Sequence, residues 1–234
     1  MSLNCLGLIL KNAILLFFLV SLSACATVKQ PLVGIVAGRE VETIQSAIDI
    51  TMQAGGHSTG GRAYLIFKHP DHFHMAVLSP FGLTVFEAFS DHDRLTCLVP
   101  SKQTAYRGLF SELPENSALK NMFLMKWVVA SPPLTGPTAA NREITAPSGD
   151  RFYFDKDGLV GRKVSQQGDE VVYEDYRAIN GVAFPNSIVI GNRYGATVKI
   201  VFDEPQINLP VEDSALTPNL EGVSVRPLAD FKGL

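Results

Sequence analysis

Residues 61–108 read GRAYLIFKHPDHFHMAVLSPFGLTVFEAFSDHDRLTCLVPSKQTAYRG. Five short runs rich in β-branched and aromatic residues are parted by clusters of Pro, Gly, Asp and Ser, the pattern of consecutive strands joined by turns. The stretch is a meander. Alternation puts Phe73, Met75 and Val77 on one face, continued by Val85 and Phe89 and then by Leu95, Cys97 and Val99. The opposite face is only partly polar, with His72, His74, Arg94 and Thr96 beside Leu65 or Tyr64, Phe86, Ala88 and Leu98. A sheet that is apolar on both sides must be covered on both or must enclose something apolar.

Outward from the meander, residues 39–52 carry Val41, Ile44, Ile48 and Met52 at spacings of three and four, which predicts an amphipathic helix stopped by Gly55-Gly56. Such a helix would cover one sheet face. On the other side, Pro114 to Ser117 reads as the start of a second helix over residues 118–130, ended by Ser131-Pro132-Pro133. Its sequence, ALKNMFLMKWVVA, is apolar nearly all round. Either it is sandwiched between the sheet and a loop, or it is a lid over an apolar cavity with Met supplying adaptable contact. Leu119, Met122, Phe123, Met125 and Trp127, with Phe73, Met75, Phe86 and Phe89 from the meander, are the cavity and lid candidates.

Strands resume near Arg142 and run to Asp203, with two-residue hairpin signals at Asp157-Gly158 and Asn180-Gly181 and a further turn over residues 192–195. The expected fold is mainly β with about two covering helices, an α+β arrangement. It has a single strongly curved antiparallel sheet of about ten or eleven strands, forming a half-open barrel. Residues 39–203 make up this domain, and the proline-containing tail, residues 204–234, packs on it or extends from it.

The first residues form a targeting segment. Residues 1–24 hold one charge, Lys11, ahead of an apolar run too short to span a bilayer well. Leu22-Ser23-Ala24-Cys25 then resembles the bacterial lipobox, which implies cleavage before Cys25 and acylation of its thiol. Residues 25–38 follow as acylated end and tether. Ala26 is not the aspartate that retains enterobacterial lipoproteins in the inner membrane, so the resemblance implies sorting to the outer membrane, lipid-anchored and facing the periplasm. Two or more acyl chains suffice for stable anchoring, where one is marginal.

Once Cys5 has left with the peptide and Cys25 is acylated, Cys97 is the remaining thiol, so no disulfide forms within the chain. Its place on an apolar face makes it a small buried hydrophobe. Loss of Lys11 takes the formal charge from −3 to −4. With no basic patch, nucleic acid is excluded as a partner. A content of 46% hydrophobic and 18% charged residues is a globular balance for one domain or at most two.

Two short motifs carry a family resemblance. Leu78-Ser79-Pro80-Phe81-Gly82-Leu83-Thr84 resembles the strand and Asn-Pro-Leu-Gly turn of the outer-membrane lipoprotein receptor family LolB. Pro114-Glu115-Asn116-Ser117, followed by Leu119, Trp127 and Pro132-Pro133, resembles that family's Asn-Ser-Leu, Trp and Leu-Pro pattern. Gly61-Arg62-Ala63-Tyr64 is weakly similar to its first strand, and the periplasmic carrier LolA shares the fold. The resemblance implies an open apolar cavity that accepts acyl chains of lipoproteins from a LolA-like carrier and releases them into the outer membrane. It implies a monomer that uses no cofactor and performs no hydrolysis. It also assigns membrane release to the apolar residue of the turn, here Phe81. The physics of Ser79 to Gly82 places that ring at a turn tip, where it either stands exposed or folds back on the sheet.

His72 and His74 share a strand face, and His92 stands at the next turn, so zinc ligation is weighed against solvated histidines at a sheet rim. No nucleophile elbow, zinc-protease helix, phosphate loop or dinucleotide fingerprint is present, and single carboxylates on strands do not form an acid and base pair, so no enzyme is expected. The alternative to a lipid-binding receptor is a structural or assembly lipoprotein that binds envelope proteins through its sheet edge and tail.

Overall fold

The computed structural model describes residues 32–36, 38–114, 119–120, 125–129 and 141–232. The lipobox with Cys25, the Pro114 to Ser117 start signal beyond Pro114, and Met122 and Phe123 lie outside the described residues, as does the side chain of Met125. Residues 32–234 form one compact unit.

A pair of 12-residue strands lies at the centre, β1 (Thr43–Ala54) and β2 (His57–Lys68). The expected helix over residues 39–52 is therefore strand β1. Ile44, Ile48 and Met52 are four apart, a spacing that fits a helical stripe and a period of two equally well. The arbiters are Ser46, which is buried, and Ile50, which puts every second residue from Ile44 to Ile50 inside. Gly55-Gly56 stops no helix. Both glycines have positive φ, at 58° and 79°, and form the two-residue turn that joins β1 to β2.

The meander follows as expected in number and order: β2, β3 (His72–Leu78), β4 (Thr84–Asp91), β5 (Arg94–Val99) and β6 (Thr104–Leu109), each antiparallel to the next. One face assignment is corrected. In β4 the partners of Met75 and Val77 are Ala88 and Phe86, so those two, and not Val85 and Phe89, continue the face of Phe73 and Met75. Val85-Phe86 and Ala88-Phe89 are adjacent apolar pairs, so the sequence leaves the parity of β4 open, and a register shift after Val77 settles it.

Beyond the meander come α1 (Met125–Val129), β7 (Glu143–Thr145), β8 (Arg151–Phe154), β9 (Val160–Val164), β10 (Glu170–Ile179), β11 (Val182–Gly191), β12 (Thr197–Ile207) and β13 (Ser224–Pro227). The turn at Asn180-Gly181, with φ of 47° and 80°, is the expected hairpin. All thirteen strands lie in one large curved, unclosed sheet, in the order β13-β6-β5-β4-β3-β2-β1-β12-β11-β10-β9-β8-β7. The count exceeds ten or eleven because the first helix is a strand and the tail supplies another. Nor is the sheet purely antiparallel, since β13 runs parallel to β6. Among the described residues one helix, not two, covers it.

One face, called inner here, carries the main core: Ile44, Ile48, Leu65, Phe67, Phe73, Met75, Phe86, Leu95, Cys97, Val171, Ile188, Ile190, Val198 and Ile200 are all nearly or fully buried. Fully burying a residue of this size stabilises by about 1.5–3 kcal/mol. Near β9 and β10 the inner face is covered by α1, with Val128 buried and Trp127 and Val129 packed on the core. Towards β6 it is covered by Phe110, Leu113, Leu228 and Phe231, the last stacked on Phe86 at 5.8 Å and against Tyr106 at 5.2 Å. The approach of Leu228 is close: a Cβ on Gly108 would lie 2.7 Å from the Leu228 Cβ.

The outer face is polar at β1 and β2, where Arg62 pairs with Asp203 at 2.6 Å and approaches Asp49 at 3.7 Å. Over β3 it is covered by a 3₁₀ turn, Asp213–Leu216, held by Lys68 to Asp213 at 2.6 Å and by His74 Nδ1 to the Ala215 carbonyl at 2.8 Å. Segments of the chain thus lie over both faces of the meander.

Candidate functional site

The β3–β4 turn is built as its sequence dictates. Pro80 sets the first central residue, the Gly82 N–H donates to the Ser79 carbonyl at 2.9 Å, and Gly82 adopts φ of 79°, a conformation that costs a glycine nothing. The Ser79 N–H closes the loop on Leu83 at 2.8 Å, and the Ser79 hydroxyl accepts the Leu83 N–H at 3.1 Å. The hydrogen bonds that hold this turn come from the backbone and Ser79 alone. The ring of Phe81 takes no part and is 91% exposed, with Leu83 beside it at 70%. Of the two placements open to Phe81, the structure has the exposed one.

The second set of residues surrounds α1. Its backbone is fastened to the sheet by polar groups that project from the inner face. Tyr173 donates its hydroxyl to the Val128 carbonyl at 2.5 Å, and Lys163 donates its ammonium to the Trp127 carbonyl. The Trp127 indole N–H donates to Asp150 at 3.0 Å. Lys163 is 2% exposed and its nitrogen lies 4.6 Å from the Trp127 ring centre and 5.1 Å from that of Phe152. Burial lowers its pKa to about 8, while the nearby Asp150 carboxylate opposes the shift. Burial likewise raises the Tyr173 hydroxyl well above its ordinary range. The helix is thus held both by donors from the sheet to its carbonyls and by Val128 in the core. Sequence reasoning missed Lys163, since a lysine in the run VGRKV reads as a solvated strand residue. The signal that finds it is its pairing with Val171, itself fully buried.

Of the expected cavity and lid residues, Leu119 and Trp127 pack on the inner core, and Phe73, Met75 and Phe86 are buried within it. Phe89 belongs elsewhere. It lies on the outer face, its ring stacked on His74 at 4.0 Å. Cys97 is buried as expected, and desolvation pushes its thiol up to about 12, so it is no nucleophile at neutral pH.

The histidines divide. His74 is absorbed into the outer cover, between the Ala215 carbonyl and Glu87 at 3.0 Å. His72 and His92 do come together, with Asp91 between them. Among the described residues no helix is long and apolar enough to cross a membrane.

The protein is thus one large unclosed sheet with chain segments over its apolar inner face and an apolar turn tip left bare. The chain matches the family model described as outer membrane lipoprotein LolB over residues 43–204, and it belongs to that family. This is the family expected from the Ser79 to Thr84 turn and the Trp127 motif. None of the curated proteins matches the chain. Among solved structures it is similar to a domain described as an outer membrane lipoprotein-sorting protein from Vibrio parahaemolyticus, at 8% identity, covering 74% of this chain and 88% of that one with a TM-score of 0.50. It is also similar to a LolA superfamily protein from Nitrosomonas europaea, at 13% identity, 78% and 93% coverage and a TM-score of 0.46. A DUF1329 family protein from Desulfovibrio piger gives 11%, 76% and 90%, and 0.48. At such identities the Vibrio domain speaks for a shared fold alone.

Proposed function

We propose that this protein is an outer-membrane lipoprotein that accepts the acyl chains of other lipoproteins between α1 and the inner face of its sheet and passes them to the outer membrane. It acts without catalysis or cofactor, as a monomer held at the periplasmic face by acyl chains on Cys25. A LolA-like periplasmic carrier delivers the cargo. The observation that carries the proposal is the bare Phe81 and Leu83 at the tip of a tight turn. Two large apolar side chains in water, on a turn that does not need them, suit contact with the bilayer boundary. Membership of the LolB family supports the same reading.

Acyl transfer needs no energy source. Each buried methylene contributes about 0.8 kcal/mol, so partial burial of a chain holds it against water and still yields it to a bilayer. The alternative, assembly through a sheet edge, draws little support from the edges. β7 has three residues, and β13 has four including Pro227, so each offers a short template for a partner strand.

Binding is tested with a fluorescent fatty acid on the chain begun at Ala26. Saturable binding displaced by a triacylated lipopeptide is expected, with a change in the emission of Trp127, the one tryptophan of the sequence. A folded sample that shows neither probe binding nor a Trp127 response would contradict the proposal.

A further inference from the structure

We propose that His72, Asp91 and His92 form a zinc-binding site on the outer face, where β3 meets the turn between β4 and β5. The site is distinct from the acyl-chain reading and stands or falls without it.

Three donors of kinds favoured by zinc, two imidazoles and a carboxylate, are brought together by the fold. β3 supplies His72. The last residue of β4 is Asp91, and the β4–β5 turn supplies His92, which adopts φ of 58°, a left-handed conformation, and lies beside the His72 ring. The two rings lie edge to face with centres 5.7 Å apart. Asp91 Oδ1 stands between them, 2.6 Å from His92 Nδ1 and 3.4 Å from His72 Nε2. All three donor atoms lie within 4.8 Å of one another. Zinc with ligands at about 2.0–2.1 Å in a tetrahedron sets its donors about 3.3 Å apart. Of the three donors, His92 is the exposed one on a turn, and its side chain is the one that would move to reach that spacing.

The surroundings fit a bound cation. Behind His72, its other nitrogen Nδ1 is buried and lies 3.6 Å from Asp71 Oδ1, just beyond hydrogen-bond distance, so a slight turn of the ring would give the imidazole a carboxylate partner of the kind that orients metal-ligating histidines. His72 and Asp91 also line a cleft of about 440 Å³ with Lys68, Arg94 and Arg107, so water or an anion can reach the fourth position. Zinc here would tie the turn to β3.

The experiment uses the full chain in detergent micelles, stripped of metal. Cobalt is titrated first, because its visible absorption reports tetrahedral nitrogen and oxygen ligation, and zinc is then added to displace it. One saturable cobalt per chain is expected, released by zinc. His72→Ala, Asp91→Asn and His92→Asn should each weaken binding at least about tenfold, whereas His57→Ala and His69→Ala should leave it unchanged. His92→Asn keeps a residue that tolerates the left-handed turn, and Asp91 is exposed, so these two variants keep the site testable should His72→Ala fail to fold; melting curves check all of them. Zinc should also raise the melting temperature of the parent chain and not that of His92→Asn. No saturable cobalt signal up to about 1 mM in a folded sample, or binding that survives in the folded Asp91→Asn, His92→Asn double variant, overturns the site and leaves two solvated histidines at a sheet rim.

Discussion

Replacing Phe81 with glutamate should separate folding from membrane transfer. The ring is 91% exposed and the turn is held by the Gly82 to Ser79 and Ser79 to Leu83 hydrogen bonds, which the substitution leaves in place. An exposed position of this kind shifts stability by no more than about 0.5 kcal/mol, which for a domain of this size moves the melting temperature by no more than about 2 °C. Transfer is another matter. Nearly the whole ring is available for insertion, and burying a phenylalanine side chain is worth about 1.5–3 kcal/mol. At about 1.4 kcal/mol per factor of ten, its loss weakens contact with the bilayer roughly ten- to hundredfold, and a carboxylate that resists burial adds to the effect. Thermal unfolding, uptake of a lipoprotein from its carrier and onward transfer to liposomes should be measured on one preparation. Unchanged unfolding and uptake with slowed liposome transfer are expected. A folded variant that transfers at the normal rate would remove this turn from the mechanism, and a drop of several degrees in melting temperature would mean the ring packs on the sheet after all.

Lys163→Met should alter the pH dependence of stability. The folded pKa of about 8 lies below the ordinary 10.5, so between those values the unfolded chain binds more protons and the parent chain gains stability as pH rises. Below about pH 8 both states are charged and the burial penalty, on the order of 3 kcal/mol by the shift, is fully felt. Urea unfolding from pH 7 to 10.5 should therefore show the parent gaining on the methionine variant, and parallel curves would place the amine in water. Phe231→Ala, which removes the stack on Phe86 and Tyr106 from a partly buried ring, should cost about 1–3 kcal/mol in the same assay; no change would mean the last residues do not cover the inner face. Cys25→Ala should leave an unacylated precursor with its first residues attached, read by mass spectrometry, and an acylated product would refute the lipobox.

Much of this molecule is legible in its sequence wherever contacts are local. The meander from β2 to β6, the turns at Ser79 to Gly82 and Asn180-Gly181 and the placing of Cys97 all follow from alternation and turn chemistry within a few residues. What fails is parity and distance. β1 was hidden because isoleucines four apart satisfy both periods, and the core face of β4 because its apolar residues come as neighbours. β13 is four residues with a proline, and only its long-range parallel pairing with β6 makes it a strand. At the site, Phe81 could be placed at a tip, yet whether its ring stood free depended on what else reached the turn. Lys163 and His74 escaped for the same reason: each is explained by a carbonyl far away in the chain, Trp127 and Ala215.

The most direct measurement is transfer itself. A triacylated lipoprotein with a fluorescent label, held by its periplasmic carrier, is mixed with the chain begun at Ala26, and the label is followed from carrier to chain and from chain to liposomes. One cargo per chain should move to the protein and then to lipid without added nucleotide, and the same cargo without acyl chains should not move at all. Cargo that passes from carrier to liposomes equally fast with the chain left out, or that binds the chain equally well without its acyl groups, would contradict the account.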